Sequence, residues 1–284
     1  MPSLLSSFSW SDAPNTAYVD DLADNQRWST WDTIERLCRG PEPWPDWVVT
    51  AAAAIDTDLG LLKSGKEADV SLVERAVPDD PARGCVMAAK RYRSSDRKLF
   101  HRDTSYTEGR RVRNSRDNRA VARRSAYGRA VESGLWARAE WNALTTLYAA
   151  GVPVPYPVQI DGTEILMEFI ADGDAAAPRL HQTSPSGWQL GSLFSQLLDA
   201  MQTMARLGLV HGDLSPYNTL VTGIEEGEPR LVIIDVPQLV DLASNPNAFD
   251  LLHRDCVNMA TWFSAAGHAV DAEELLGEVL AHAC

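Results

Sequence analysis

The chain has 284 residues, 45% of them hydrophobic, and a formal net charge of −13. That length buries a sizeable core in one large domain or two packed lobes, and that composition excludes a disordered or fibrous chain. The acidic balance argues against general affinity for nucleic acid, and no stretch reaches the about 18–20 uninterrupted apolar residues of a membrane span.

The N-terminus, MPSLLSSFSWSDAPN, lacks the basic region of a secretory signal, so a cytoplasmic location with no membrane partner is expected. Cys38, Cys85, Cys256 and Cys284 form no CxxC pair and no zinc-spaced set with histidine, which reads as reduced thiols without a structural zinc. Charge is unevenly spread. Residues 90–129 carry 14 Lys/Arg against 4 Asp/Glu, a local net of +10, while the remainder nets −23. Such a segment suits phosphates, RNA or an acidic surface; a solvated loop that repels itself accounts for it as well.

Residues 1–25 are polar and irregular. Residues 26–58 read as helical pieces broken by RGPEPWPDW, with Trp28, Trp31, Trp44 and Trp47 as anchors on a larger body. The end of LLKSGKEADVSLVERA (61–76) alternates like a strand and GCVMAAKRYR (84–93) reads as its antiparallel partner across PDDPARG. After the basic segment, GLWARAEWNALTTLYAAG (134–151) has apolar residues at helical spacing and stops at Gly151 and Pro153. EILMEFI (164–170) is a short strand, and GWQLGSLFSQLLDAMQTMARLG (187–208) a long helix stopped by Gly208. PRLVIIDVPQLV (229–240) is an apolar strand interrupted by Asp and Pro; NPNAFDLLHRDCVNMATWFSAAG (245–267) and DAEELLGEVLAHA are helices. This order predicts an α+β protein, a small β-rich lobe followed by a mostly helical one.

The stretch LVHGDLSPYNTLV (209–221) sets a polar centre between apolar ends. Asp213 can accept a proton from a hydroxyl or orient a water, and the amide oxygen of Asn218, five residues on, is a hard cation ligand. A loop of Asx turns would use the same residues to satisfy backbone groups. In LVIIDVPQ, four apolar residues run into Asp235, a charge that is costly at the end of a buried strand unless paired or metal-bound. A hairpin through EEGEP would bring Asp235 beside Asn218, an oxygen pair suited to Mg²⁺; a turn or N-cap Asp is the alternative. Lys90 interrupts the apolar strand VMAAKRY, and Glu140 lies on the apolar face of its helix with Trp136, Ala143, Leu144 and Leu147. Paired, they cancel each other's charge and leave an ammonium to hold phosphate; unpaired, they are two snorkelling surface chains. In KSGKEADV (63–70) a single Gly before a strand can bring backbone N–H groups to phosphate, without a GxGxxG or Walker A pattern. In this order, the parts match the phosphoryl-transfer set of the protein-kinase-like fold.

SGKEADV, LMEFI, LVHGDLSPYN, IIDVPQ and NPNAFDLLHRDCVNMATWF resemble the RIO family of atypical serine/threonine protein kinases, its first, bacterial-type subfamily most closely, over roughly residues 58–266. The resemblance implies a bilobal kinase fold without an activation loop. It divides the chain into an N-terminal extension with helices (1–57), an N-lobe with nucleotide loop, flexible Arg-rich insert (95–130) and hinge (58–170), and a helical C-lobe with the catalytic and metal loops (171–284). It implies Asp213 as the catalytic aspartate, Lys90 and Glu140 as the phosphate-binding pair, and Asn218 and Asp235 as metal ligands, with Asp235 a transient phosphoryl acceptor. It puts Ser64, Lys66, Glu67 and Val70 at the nucleotide, Met167 as gatekeeper, and the backbone of Glu168 and Ile170 against adenine. ATP with Mg²⁺, or Mn²⁺, is the implied cofactor set.

Pro216 and Pro237 depart from the family pattern without removing a ligand. The family's role in maturing the small ribosomal subunit makes a protein substrate, and RNA or ribosome contact through residues 90–129, the expected partners. High Ala and Arg content fits a GC-rich bacterial genome, where that role need not transfer. Two other functions use the same motifs. One is a small-molecule phosphotransferase of the aminoglycoside or choline type, which shares HGD-x₄-N and often a Pro at position 216. The other is an ATP-regulated RNA- or ribosome-binding scaffold.

Overall fold

The computed structural model describes residues 22–78, 80–93, 126–236 and 239–283. Most of the Arg-rich insert, Pro237 and Cys284 lie outside them.

The N-terminal half is built on one antiparallel sheet. Its strands are β1 (Gln26–Trp28), β2 (Ile55–Ser64), β3 (Ala68–Val77), β4 (Asp80–Tyr92), β5 (Pro157–Asp161) and β6 (Glu164–Glu168), in the order β1-β2-β3-β4-β6-β5. The expected pair of strands is β3 with β4, in register from Ala68↔Tyr92 to Ala76↔Gly84. Alternation along these strands gives the sheet two apolar faces. Ala68, Ala88, Tyr92, Ile165 and Met167 join the main core with helix α1 (Ala126–Ala149). Val73, Met87, Ala89 and Leu166 form a second core with Trp31, Val48, Tyr156 and Val158.

That second core is where the N-terminal segment docks. Residues 26–58 were expected to be helical in pieces; instead they hold β1, the start of β2 and a single 3-10 turn, Arg36–Cys38. Pro41, Pro43 and Pro45 each remove a backbone donor and restrict the residue before them, which rules out an α-helix across 41–45, while the flanking residues pair as strands instead: Gln26–Trp28 with Ile55–Thr57. Trp31 is buried with its ring edge-on to Trp44 at 5.1 Å, and Trp47 meets Tyr156 at 5.9 Å. Trp28, by contrast, is largely exposed on the edge strand. Beneath this cover, Arg75 is fully buried and grips Asp56 with two hydrogen bonds of 2.6 and 2.9 Å.

Helix α1 is already formed at Ala126, the first described residue after Arg93, ahead of the periodicity of residues 134–151, and ends as expected: Gly151 takes a φ of +80°, and Val152 N–H returns to Leu147 O at 3.0 Å. A two-stranded turn, β7 (Ala171–Asp172) with β8 (Ala175–Ala176), leads from the sheet into the helical half. There helix α2 (Gly187–Arg206) is opened by Ser186 N–H donating to Gln189 Oε1 at 2.9 Å and closed by Gly208 at a φ of +69°. β9 (Leu209–Val210), the hairpin β10 (Thr219–Thr222) with β11 (Arg230–Ile233), and β12 (Val240–Asp241) carry the loops of interest. Helices α3 (Ala248–Ala265) and α4 (Ala272–Leu280) follow, the latter capped by the Asp271 carboxylate accepting from Glu273 and Glu274 N–H at 2.8 and 3.0 Å. The apolar strand expected over 229–240 is shorter, because the chain leaves the sheet after Ile233 to present Asp235. Only a short connection and β12 separate Asp235 from α3, so no activation loop intervenes.

Candidate active site

Lys90 lies on the main-core face of β4, in register with Val70 and Ile165. Its ammonium reaches Glu140 Oε1 at 2.6 Å and Asp235 Oδ1 at 2.9 Å. Glu140 is buried on α1, and its second oxygen accepts from the Tyr92 hydroxyl. Both Lys90 and Glu140 are therefore paired groups, not surface chains. Burial alone would lower the pKa of Lys90, but the charges of Glu140 and Asp235 outweigh it and hold the ammonium above its ordinary value. Burial raises the pKa of Tyr92, and the adjacent Glu140 carboxylate raises it further.

Asp235 comes from the other half of the molecule. The β10–β11 hairpin pairs Thr219 with Ile233, and Ile234 N–H donates to Asn218 O at 2.9 Å, which sets Asp235 beside Asn218. Asp235 has a φ of +64°, the left-handed region that Asp tolerates better than most side chains. Burial pushes its pKa up, but Lys90 more than compensates and the carboxyl stays below its ordinary value.

The Asp213–Asn218 loop follows β9. His211 is buried; its Nδ1 accepts from Asp213 N–H at 3.3 Å, which leaves Nε2 to donate toward Ile234 O at 3.4 Å. Burial lowers its pKa, so the ring is neutral and serves as a spacer between the two loops. Asn218 Nδ2 donates to Asp213 O at 2.9 Å and lies 3.4 Å from Asp213 Oδ2. The loop-turn role of Asn218 is real, and those bonds use only its amide nitrogen.

The sequence reading assigned no role to the residues that hold this loop in place. Asp255 on α3 accepts Gly212 N–H and Leu214 N–H, each at 2.8 Å, one on each carboxylate oxygen. Asn258, one turn on, donates to Leu214 O at 3.1 Å, and Arg254 donates to Gly212 O. The signal was present: Asp255 is an acid on a helix face with Leu251, Leu252, Cys256 and Met259, the pattern that identified Glu140. Burial pushes its pKa up to about 7 despite the two N–H donors.

At the nucleotide loop, Gly65 N–H closes onto Ala68 O at 2.9 Å and Arg93 N–H bonds Glu67 O at 3.0 Å. Ser64 Oγ accepts from Arg93 at 2.6 Å beside Asp69, on the side of the sheet away from Lys90, and Lys66 is exposed. At the hinge, Met167 is buried in the main core. Glu168 N–H donates to Tyr156 O at 2.8 Å and Ile170 O accepts from Ala177 N–H at 3.0 Å; the Glu168 carbonyl and the Ile170 N–H are not used by those bonds.

Asn218 and Asp235 are hard oxygen donors, and among the described residues no cluster of three or more His, Cys, Asp or Glu could cage a metal. A two-ligand oxygen site fits Mg²⁺, which keeps waters and takes phosphate oxygens for the rest of its shell. No described helix is long and apolar enough to cross a membrane. Cys38, Cys85 and Cys256 are free thiols, with burial raising the pKa of Cys256 to about 12.

A β-rich lobe, a helical lobe, and a lysine that meets carboxylates from both define a protein of the protein-kinase-like class. A family model described as RIO domain matches residues 84–275. The RIO-type serine/threonine-protein kinase Rio1 of Haloferax volcanii is 34% identical over 223 residues, 78% of this chain and 68% of that one. The serine/threonine-protein kinase rio1 of Dictyostelium discoideum is 31% identical over 205 residues, 72% of this chain but 32% of its own length. Among solved structures, the Rio2 kinase–ADP/Mg²⁺–phosphoaspartate complex of Chaetomium thermophilum matches with a TM-score of 0.55 at 25% identity, covering 78% of this chain and 60% of that one. The chain belongs to the RIO family of serine/threonine protein kinases, and its function is ATP-dependent phosphoryl transfer.

Proposed function

We propose that the cleft binds ATP with Mg²⁺ and passes the terminal phosphoryl group to a serine or threonine hydroxyl or to water. The observation that carries this reading is the position of Lys90 Nζ, bonded to Glu140 on one lobe and Asp235 on the other, beside the Asp213–Asn218 loop. Lys90 holds the inner phosphates, with Glu140 fixing its direction. The Glu168 carbonyl and Ile170 N–H face adenine, above Val70 and with Met167 behind; the turn at Ser64–Glu67 covers the phosphates. Asp213 orients the attacking oxygen and accepts its proton. Asn218 and Asp235 hold the cation, which when bound screens the phosphate charge. Mn²⁺ accepts the same donors, and metal competition tests the preference.

The Chaetomium Rio2 complex contains phosphoaspartate. Asp235 is the counterpart we assign here: its carboxylate oxygen takes the phosphoryl group as ADP leaves. A hydroxylamine-labile label that Asp235→Asn abolishes supports that step; a label stable to hydroxylamine rules it out. Contact with RNA or the small ribosomal subunit through residues 90–129 is a separate part of the proposal, supported by their charge. Binding that collapses with added salt supports it, and binding indifferent to salt refutes it. Use of ATP and the free thiols favour a cytoplasmic location.

The main test incubates the pure protein with labelled ATP and Mg²⁺, wild type beside Asp213→Ala. Label on the protein marks a kinase, free phosphate an ATPase, and both must fall in the variant. Neither product from wild type overturns the proposal.

A further inference from the structure

Lys63 opens KSGKEADV, one residue before the turn at Ser64–Glu67. It stands in a cross-strand row: Lys63↔Val70 between β2 and β3, Val70↔Lys90 between β3 and β4, Lys90↔Ile165 between β4 and β6. Residues in register on neighbouring strands leave the sheet on the same side. Val70 packs on the main core shared by Ala88, Tyr92 and Met167, so that side is the cleft side. Strands lie about 4.8 Å apart, which sets the Lys63 and Lys90 backbones about 10 Å apart across the roof of the cleft.

A bulge creates this placement. The β2–β3 register slips between Leu61 and Lys63; without the slip, Leu62 would oppose Val70 and Lys63 would face away. Bulges re-aim side chains in this way. An earlier slip between Asp58 and Gly60 is set by Gly60 at a φ of +108°, its N–H bonded to Asp58 Oδ1 at 2.8 Å.

The opposite wall of the cleft adds a second cation. Arg179 bridges to Leu220 and donates to Tyr217 O, in the loop between Asp213 and Asn218. Among the described residues, no carboxylate lies within ion-pair distance of Lys63 or Arg179. Lys63 feels both lobes: burial and the charges of Arg179 and Lys90 pull its pKa below the ordinary value, and Asp235 pulls it back. Lys63 thus faces Asp235, one of the two carboxylates that Lys90 holds, from farther out than Lys90, with Arg179 close enough to act on the Lys63 charge.

We infer that Lys63 is a second phosphate-binding lysine, aimed by the β2 bulge at the outermost phosphate of a nucleoside triphosphate, and that it makes the cleft discriminate ATP from ADP. This rests on the proposed ATP-binding reading. Lys90 serves the inner phosphates that ATP and ADP share; Lys63 serves the one that only ATP carries.

The test is calorimetric titration of the full chain with ATP, ADP and adenosine in Mg²⁺, for wild type, Lys63→Met and Lys63→Arg. Lys63→Met should lose about tenfold in ATP affinity, the size of one charge-assisted contact, with ADP little changed and adenosine unchanged. Lys63→Arg should recover most of the loss. Wild-type affinity for ATP in Lys63→Met overturns the inference and leaves the kinase reading standing. An equal loss for ATP and ADP overturns the assignment to the outermost phosphate. An equal loss for adenosine overturns it as well, since that reports a damaged loop. Wild type that binds no ATP overturns both readings.

Discussion

Lys90 touches Glu140 at 2.6 Å and Asp235 at 2.9 Å, and each partner depends on it for charge balance. Asp235 has a carboxyl pKa below its ordinary value, so its stabilising contribution is present above the ordinary carboxylate range and is lost as pH falls through the lowered value. Lys90→Met removes the main opposition to burial, leaving only the smaller lowering effects of His211 and Lys63 on Asp235. The Asp235 carboxyl signal should then titrate at higher pH by carbon-13 NMR, and acid unfolding should begin earlier. Asp213 is held by its backbone, and its carboxylate touches Asn218 at the edge of hydrogen-bond range. Asp213→Ala should therefore keep the fold and ATP affinity while kcat drops by about a hundredfold or more, as expected for loss of the proposed general base. Steady-state kinetics beside a binding titration separate the two effects.

Helix α3 contributes through one face. Asp255, Asn258 and Arg254 hold the backbone on both sides of Asp213, so the loop's geometry is inherited from the helix. Asp255→Ala strands two buried N–H groups and should cost about 2–4 kcal/mol by urea unfolding, with kcat falling further than KM rises. The pKa of about 7 makes a pH prediction with a definite sign. A carboxyl raised on folding contributes stability that is full below its ordinary pKa and is lost as pH rises through about 7. The stability advantage of wild type over Asp255→Asn should therefore shrink as pH is raised from 5 to 8. In the sheet, Arg75→Met leaves the Asp56 carboxylate, now held by two short bonds, buried with only Arg27 at 3.8 Å, and should cost about 3–5 kcal/mol.

For the whole molecule, one apolar core runs from the sheet into the helical lobe, and Asp235 is the C-lobe side of the Lys90 contact across the cleft. Ligands that bridge the same gap should stabilise the fold as a unit. ATP with Mg²⁺ at a hundred times its Kd should add about 2.7 kcal/mol. Asp235→Asn should lose the part of that gain that EDTA also removes, read as the difference in Tm with and without the chelator. A gain unaffected by EDTA would show that the metal takes no part in joining the lobes.

Much of this was legible in the chain itself. Lys90 and Glu140 each break an apolar pattern, and a buried charge with no local partner must find a distant one. HGD-x₄-N and the strand-end Asp235 declared themselves by spacing, because a short hairpin between them left one way to bring their loops together. The helices α1 to α4 followed from periodicity and their stop signals. Other features were decided only by tertiary structure. Strand pairing of Gln26–Trp28 with Ile55–Thr57 replaced the helices expected near the N-terminus, and the tryptophans found a sheet face to cover that no local pattern reveals. The role of Asp255 depends on a loop some forty residues away coming to rest on its helix. The direction of Lys63 depends on a slip between two strands, and a one-residue slip reverses every side chain beyond it. Local chemistry is written in the order of residues; which faces meet is settled by packing, where the same residue can point into a cleft or away from it.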